Sequence, residues 1–127
     1  MTILELNHVA LHVADLDASI AFYRDHLELP QQPRPAFDFP GAWFRLGPRQ
    51  ELHLIAGRTT PVDSHKRRAH FALQVASIDE AEAFVQRKGI VHHPRKRRPD
   101  GAWQLFLLDP DGHRVELTDL SPLATRR

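Results

Sequence analysis

Four side chains of types that bind divalent metal ions occupy matched places in two similar parts of this chain. His8 and His70 stand second in the stretches "NHVALHVAD" and "AHFALQVAS", and His53 and Glu116 stand third in "ELHLIA" and "RVELTD". Imidazole nitrogens and carboxylate oxygens are ligands of borderline divalent cations. One such histidine on a strand is an ordinary polar residue, but four ligand-type residues at matched positions predict one metal site.

The matched places belong to an internal repeat. The first stretch recurs 62 residues later, where His8 corresponds to His70, and the last strand recurs 63 residues later, where His53 corresponds to Glu116. Between them "FRLGPRQELHL" aligns with "FLLDPDGHRVEL", starting from Phe44 and Phe106, and the extra residue is assigned to the turn of the second copy. A period of about sixty residues seen twice indicates a duplication.

Each copy is predicted to contain a strand, a helix and further strands. Alternating apolar residues in "ILELNHVALHV" predict the first strand. Asp15 and Ser77 are the expected N-caps of the two helices. The apolar stripe of the first helix is expected at Leu16, Ile20, Tyr23 and Leu27. Later strands are "AWFRL" and "ELHLIA" in the first copy, and "AWQLFLL" and "HRVELTD" in the second.

These elements predict an α+β fold in a single domain that covers residues 1–127. The first module is expected at about residues 1–56, a polar linker at about 57–68 and the second module at about 69–120.

Strand periodicity places the four candidate ligands on one side of each sheet. Apolar residues alternate with them and must face the helix of each module, so the candidate ligands face the other way. An approximate twofold relation between the modules would bring all four to one point. Residues of the same parity form the expected substrate pocket: His12, Phe44, Gln74, Gln104 and Phe106.

Two loops are expected to border this pocket. The Pro-rich loop at residues 30–40 carries Phe37 and Phe39, with Trp43 beside it, and would act as a lid. The run "HHPRKRRPDG" is basic and would attract an anionic substrate.

Composition argues against several classes of function. The chain has 127 residues, a net charge of +1 and no cysteine, which rules out disulfides, thiolate zinc ligands and a cysteine nucleophile. The small net charge and the lack of a groove-reading element argue against nucleic acid, and the apolar stretches are too short for a membrane span. Because the N-terminus does not resemble a signal peptide, a cytoplasmic location is expected.

The stretches "NHVALHVADLDASIAFYRDHLEL" and "FLLDPDGHRVEL" resemble the vicinal oxygen chelate superfamily, which includes glyoxalase I, bleomycin resistance proteins and extradiol dioxygenases. The resemblance covers nearly the whole chain and is greatest to small glyoxalase-I-like proteins. It implies two βαβββ modules that form an eight-stranded, partly open barrel-like sheet around a metal cleft, in a homodimer. Whether the modules pair within one chain or between chains stays open. The family's ligand positions fall on His8, His53, His70 and Glu116.

The resemblance implies a metal-dependent, glyoxalase-like lyase or isomerase for a small, oxygenated, anionic substrate. One divalent ion per site, zinc or nickel ahead of iron, manganese or cobalt, would stabilise negative charge that develops on the substrate. Glu116 would be the general base and His53 would take the opposite proton transfer. Glyoxalase I usually has a carboxylate where His53 stands, so this site has one negative charge fewer.

Two alternatives of other classes stay open. An extradiol-type ring-cleaving dioxygenase needs two histidines and one glutamate, for which His8, His70 and Glu116 suffice. A non-catalytic ligand-binding protein of the bleomycin-resistance type would typically lack the metal ligands.

Lys96 joins the expected pocket through the resemblance to fosfomycin thiol transferases. Those enzymes have a lysine thirteen residues before the Asp-Pro-Asp-Gly turn, where Lys96 stands. Asp100, Gln104 and Phe106 replace their phosphonate-binding hydroxyl groups, which argues against that activity.

Overall fold

The chain divides into two compact units, Met1–Pro61 and Val62–Arg127, in the computed structural model, which describes residues 1–123. Each unit contains one four-stranded sheet. Within the described residues, no helix combines the length and the apolar character that a bilayer crossing requires.

The first unit runs in the order strand, helix, three strands. Its strands are β1 (His8–Val13), β2 (Gln31–Gln32), β3 (Gly41–Leu46) and β4 (Gln50–Ala56). Its helix α1 (Leu16–Ile20) continues directly into a π-helical stretch, Ala21–His26. The sheet order is β1-β4-β3-β2, with β1 parallel to β4 and the other neighbours antiparallel.

The second unit repeats this order. Its strands are β5 (Phe71–Gln74), β6 (Lys96–Arg97), β7 (Trp103–Leu108) and β8 (Arg114–Asp119). Its helix is α2 (Ile78–Arg87), and a short 3₁₀ turn, Ser121–Leu123, follows β8. The sheet order β5-β8-β7-β6 has the same strand directions as the first sheet. The predicted α+β class and the βαβββ order are confirmed for each unit, while the eight-stranded arrangement and the domain bounds stay predictions.

Both predicted N-caps are confirmed. Asp15 Oδ1 accepts a hydrogen bond from the Ala18 amide at 3.1 Å, and Ser77 Oγ accepts one from the Glu80 amide at 3.3 Å. Such caps satisfy amide groups that the first helical turn leaves without a partner. The start of α2 also has a cap from distant sequence, because Asp119 at the end of β8 accepts a hydrogen bond from the Ile78 amide.

The buried face of the first helix differs from the predicted stripe. Ser19 and Phe22 join Tyr23 in the core, whereas the other three members of the stripe are only half-buried. The Leu27 amide donates to Phe22 O, five residues back. This wider π-helical turn rotates the buried face away from the 3.6-residue period that the prediction assumed.

Strand register corrects the predicted position of the extra residue. Trp43 pairs with His53 in the first sheet, and Phe106 pairs with Glu116 in the second. The 63-residue offset therefore already holds in β3 and β7, so the extra residue lies earlier than the turn. A one-residue slip moves a side chain to the opposite face of the sheet, which means that Trp43, and not Phe44, shares the face of His53.

Candidate metal-binding site

His70 and Glu116 meet on one face of the second sheet. His70 directly precedes β5, and Ala72, two residues later, pairs with Glu116 in β8, so both side chains project to the same side. His70 Nε2 and Glu116 Oε1 are 3.3 Å apart, and the Glu116 side chain is only 6% exposed. Gln104 Nε2 donates a hydrogen bond to the same oxygen at 3.3 Å.

The backbone before β5 determines which ring nitrogen of His70 carries a hydrogen. Nδ1 lies 2.8 Å from Arg68 O and 3.2 Å from His65 O. Because carbonyl oxygens only accept hydrogen bonds, Nδ1 is a donor, and Nε2 is the ring nitrogen directed at Glu116. A proton or a cation must lie between Nε2 and the carboxylate oxygen at this distance. A histidine whose other nitrogen donates to a backbone carbonyl is the usual form of a metal ligand.

His8 and His53 meet on the equivalent face of the first sheet, in a stack of three rings. His53 lies between His8, at a centroid distance of 4.1 Å, and Trp43, at 4.0 Å with an interplanar angle of 2°. Asn7 Oδ1 lies 2.8 Å from His8 Nδ1 and accepts its hydrogen. His8 Nε2 therefore keeps a free lone pair, as His70 Nε2 does, and can bind a metal ion.

Glu51 orients His53 from the same strand. Glu51 Oε1 lies 3.1 Å from His53 Nε2. Gln32, with its amide turned to satisfy both ends, donates to Glu51 Oε2 at 2.6 Å and accepts from Arg45 Nε at 2.9 Å. An imidazole that is held by a carboxylate is suited to moving a proton.

Three of the predicted pocket residues lie beside Glu116. Phe106 pairs opposite Glu116, and its ring makes an edge contact with His70 at a centroid distance of 5.5 Å. Gln104 reaches Glu116 directly. Lys96 Nζ lies 5.7 Å from the centre of the Phe106 ring. Gln104 and Phe106 share the face that parity predicted for them, and Lys96, which was expected from the resemblance, lies over Phe106.

His12 and Gln74 lie toward the ends of β1 and β5 and are exposed. His12 Nε2 forms a hydrogen bond with Ala56 O at 3.2 Å. Phe44 contradicts its prediction. It is completely buried on the opposite face, where its ring lies 6.3 Å from that of Tyr23, and its burial in the core keeps it away from any substrate.

Sequence reasoning missed Trp43 and Glu51 as partners of His53. Glu51 stands two residues before His53 on one strand, so strict alternation puts both side chains on one face, and this signal was present in the sequence. The place of Trp43 depended on the register of β3 against β4, which the misplaced extra residue obscured.

The Pro-rich loop continues the row of rings. Phe37 lies 5.2 Å from Phe39 and 6.1 Å from Trp43, as measured between ring centroids. The Arg34 guanidinium lies 4.8 Å from the centre of each phenylalanine ring. Both phenylalanines remain partly exposed, at 46% and 38%. The loop therefore lies beside the His53 stack, and its role as a lid stays a prediction.

Two of the four basic residues in the run before β7 are paired with acidic groups. Arg95 forms an ion pair with Asp79, and Arg98 forms one with Asp100 at 2.5 Å. The hydrogen bond from Arg98 lowers the pKa of Asp100 to about 2. This pairing leaves the run with less free positive charge than its sequence suggests.

A second group of ligand-type side chains lies in the turn between β7 and β8. Asp109, Asp111 and His113 bring ligand atoms within 4.8 Å of one another. Asp109 Oδ1 accepts hydrogen bonds from the backbone amides of Asp111 and His113 at 2.9 and 2.8 Å. Those hydrogen bonds give the carboxylate a structural role in the turn.

Known proteins share both the sequence pattern and the fold. The model of the glyoxalase/bleomycin resistance protein/dioxygenase superfamily matches residues 5–117. A metallothiol transferase FosB of Bacillus licheniformis is 32% identical over 125 residues, covering 91% of this chain and 75% of that protein. A probable lactoylglutathione lyase of Synechocystis is 30% identical over 125 residues, covering 91% and 95%.

Solved structures agree with these relatives. A crystal structure described as a putative glyoxalase family protein from Bacillus anthracis superposes with a TM-score of 0.79 at 27% identity, covering 94% of this chain and 97% of that one. The lactoylglutathione lyase of Agrobacterium tumefaciens superposes with a TM-score of 0.74 at 25% identity, covering 97% and 98%. Because the family match extends over most of the chain, this protein belongs to the glyoxalase/bleomycin resistance protein/dioxygenase superfamily.

Proposed function

We propose that this protein is a metal-dependent lyase or isomerase of the glyoxalase type that acts on a small, oxygenated, anionic compound. In this proposal one divalent cation is bound by His8, His53, His70 and Glu116. Support comes from family membership and from relatives named lactoylglutathione lyase and metallothiol transferase.

The contact between His70 and Glu116 carries the proposal. Nδ1 of His70 donates to Arg68 O, and His70 Nε2 lies 3.3 Å from Glu116 Oε1, so either a proton or a cation must lie between these two atoms. A cation between an imidazole nitrogen and a carboxylate oxygen satisfies both. His8, with its Nδ1 engaged by Asn7, offers a donor of the same kind.

The chain's own residues would move protons. A bound divalent cation would polarise the substrate oxygens and stabilise the negative charge that develops on them. Glu116 would accept a proton from a carbon next to such an oxygen and return it to the neighbouring carbon, so that no atom is gained or lost. His53, oriented by Glu51 at 3.1 Å, would move the matching proton from the hydroxyl oxygen on the first carbon to the carbonyl oxygen on the second, which completes the isomerisation.

Thiol transfer is a second candidate function. Two relatives, 26% and 32% identical, are named metallothiol transferase FosB. Lys96 lies over Phe106, which shares a face with Glu116, and could hold an anionic electrophile there. Consumption of a thiol together with a phosphonate substrate would favour this candidate over isomerisation.

Metal analysis of protein purified without a metal-affinity tag tests the proposed site. We expect about one zinc or nickel ion per chain, and we expect His70→Ala and Glu116→Gln to lose most of it while keeping the fold. His113→Ala is the matched control, because it removes a histidine of the β7–β8 turn and should keep the metal. Loss of metal in His113→Ala with retention in His70→Ala would contradict the proposal and assign the ion to the turn.

Activity separates the reaction classes. Metal-loaded protein should isomerise hemithioacetals of small 2-oxoaldehydes without taking up oxygen. Glu116→Gln should lower the rate by about a hundredfold or more, because it removes both the general base and most of the bound metal. Oxygen uptake with catechols, or stoichiometric ligand binding by metal-free protein without turnover, would contradict the lyase proposal.

A further inference from the structure

Basic side chains gather at the start of β8, outside the set of predicted ligands. Arg114 Nη1 donates to Ser64 O at 2.6 Å, and the Arg114 amide donates to Ser64 Oγ at 2.9 Å. These hydrogen bonds attach the loop that carries His65 and Lys66 to the first residue of β8. Arg114 and Lys66 are half-buried, so their charge is less screened than on an open surface.

His93 completes this cluster. Burial is the largest cause that lowers the pKa of His93, and repulsion from Lys66, Arg114 and His65 lowers it further. The charged neighbours that lower this pKa, His92 among them, are all basic. Lys66 and Arg114 therefore bring positive charge close to His93.

Two nitrogen atoms of the cluster lack partners. Within residues 1–123, Arg114 Nε and His93 Nε2 are buried and form no hydrogen bond. A buried polar group without a partner is costly, so such groups commonly mark a place that a ligand or an ion fills. An arginine donor and a histidine nitrogen among positive charges suit an oxyanion.

Strand register puts these nitrogens on the side of the candidate metal ligands. His92 pairs with Leu107, so His93 stands opposite Phe106 and shares its face. Arg114 stands two residues before Glu116 on β8 and projects to the same side. The spacing along the strand between Arg114 and Glu116 is about 7 Å, which is the reach of a small molecule that touches both.

We propose that Arg114, His93 and Lys66 bind an oxyanion of the substrate, either a carboxylate or a phosphate-type group, on the same face as Glu116. This inference rests on the proposed function for the identity of the ligand as substrate. In the basic run, Arg95 and Arg98 have acidic partners, so this cluster would add to the positive charge that Lys96 contributes on the same face.

Titration of the metal-free protein with inorganic phosphate tests the cluster without the metal. Backbone amide shifts of ¹⁵N-labelled protein at constant ionic strength should report saturable binding at His93 and Arg114, with a dissociation constant of about a millimolar. A parallel titration with acetate tells which oxyanion is preferred. Arg114→Gln should weaken binding about tenfold, because it removes a charge and a buried donor.

Control variants keep the result interpretable. Lys66→Gln leaves the contacts between Arg114 and Ser64 in place and should still weaken binding. Arg97→Gln removes an arginine of the same unit that lies over Trp103, and it should leave binding unchanged. Absence of saturable shifts at His93 and Arg114, or equal weakening by Arg97→Gln, would overturn the inference.

A separate zinc titration distinguishes the two failures. Phosphate binding without zinc binding would contradict the proposed function and support the oxyanion site. Zinc binding without phosphate binding would support the proposed metal site and contradict the oxyanion site.

Discussion

The Nδ1–H groups of His8 and His70 donate to acceptors that are not proposed metal ligands. His8 uses the side chain of Asn7, while His70 uses the backbone carbonyls of Arg68 and His65. In both cases Nδ1 is the donor and Nε2 remains the ligand atom. Partners of this kind raise the basicity of a metal-ligating histidine and orient its ring.

Asn7 offers a test of this positioning. Asn7→Ala removes the acceptor of His8 Nδ1, and we expect zinc affinity to fall about tenfold or more, the usual effect of losing such a partner. Asn7→Asp keeps an acceptor oxygen and should retain the affinity. Competition with a chelating dye measures both variants. Equal zinc affinity in Asn7→Ala and the unmodified protein would show that Asn7 does not position His8.

Asp119 gives a prediction about pH and stability. The hydrogen bond with Ser121 is the largest cause that holds the pKa of Asp119 below its ordinary value, and the Ile78 amide adds to it. The unfolded chain therefore takes up the proton at a higher pH than the folded chain does. The stabilisation is complete above about pH 4, the unfolded pKa, and is lost as the pH falls through the folded pKa.

Asp119→Asn should lower the free energy of unfolding at neutral pH by about 1–3 kcal/mol, because it weakens hydrogen bonds to a buried carboxylate. The difference from the unmodified protein should shrink at about pH 3 or below. Urea unfolding at both pH values measures it. Asp38→Asn, which changes an exposed carboxylate of the Pro-rich loop, should alter stability little. A difference for Asp119→Asn that stays constant with pH would contradict this account.

At the level of elements, the register of β3 against β4 decides which aromatic residue belongs to the core. Phe44 pairs with Leu52 and is buried, while its neighbour Trp43 pairs with His53 and stacks on its ring. The two side chains are adjacent in sequence and point to opposite faces.

Alanine substitutions of Phe44 and Trp43 should have different effects, the first mainly on stability and the second on metal binding. Phe44→Ala should reduce the free energy of unfolding by about 3–5 kcal/mol, as expected for a large cavity in a core, with the metal content kept in protein that remains folded. Trp43→Ala should cost less stability but should change zinc affinity, because His53 loses its stacking partner. Denaturant unfolding and metal analysis provide the two measurements, and a reversed pattern would show that the register is wrong.

At the scale of the whole molecule, the proposed ligands come in two halves, one from each unit. His8 and His53 contact each other in the first unit, and His70 and Glu116 do so in the second. If the halves share one ion, either His8→Ala or Glu116→Gln should reduce the metal content to less than half an ion per chain. An independent ion in each half would instead leave one ion per chain in each single variant.

Mixing chains tests how the halves combine. If modules pair between the chains of a homodimer, co-refolding His8→Ala chains with Glu116→Gln chains should restore part of the zinc binding, because some dimers then contain one intact site. If modules pair within a chain, the mixture should bind no more zinc than its components. Refolding each variant alone is the control.

The sequence by itself determined the duplicated βαβββ order, the two helix N-caps and the face of each candidate ligand. These features depend on local periodicity and on short-range hydrogen bonds, which are written in consecutive residues. Alternation put the four candidate ligands on the polar faces of their strands, and the pairing of β1 with β4 and of β5 with β8 then brought His53 beside His8 and Glu116 beside His70.

Only the tertiary structure decided what depends on alignment between distant segments. The register of β3 against β4 moved Phe44 into the core and brought Trp43 onto His53. The attachment of Ser64 to Arg114 gathered basic residues that lie far apart in the sequence. Such contacts form because folding pairs the polar groups and buries the apolar side chains of the whole unit together. No window of consecutive residues encodes them.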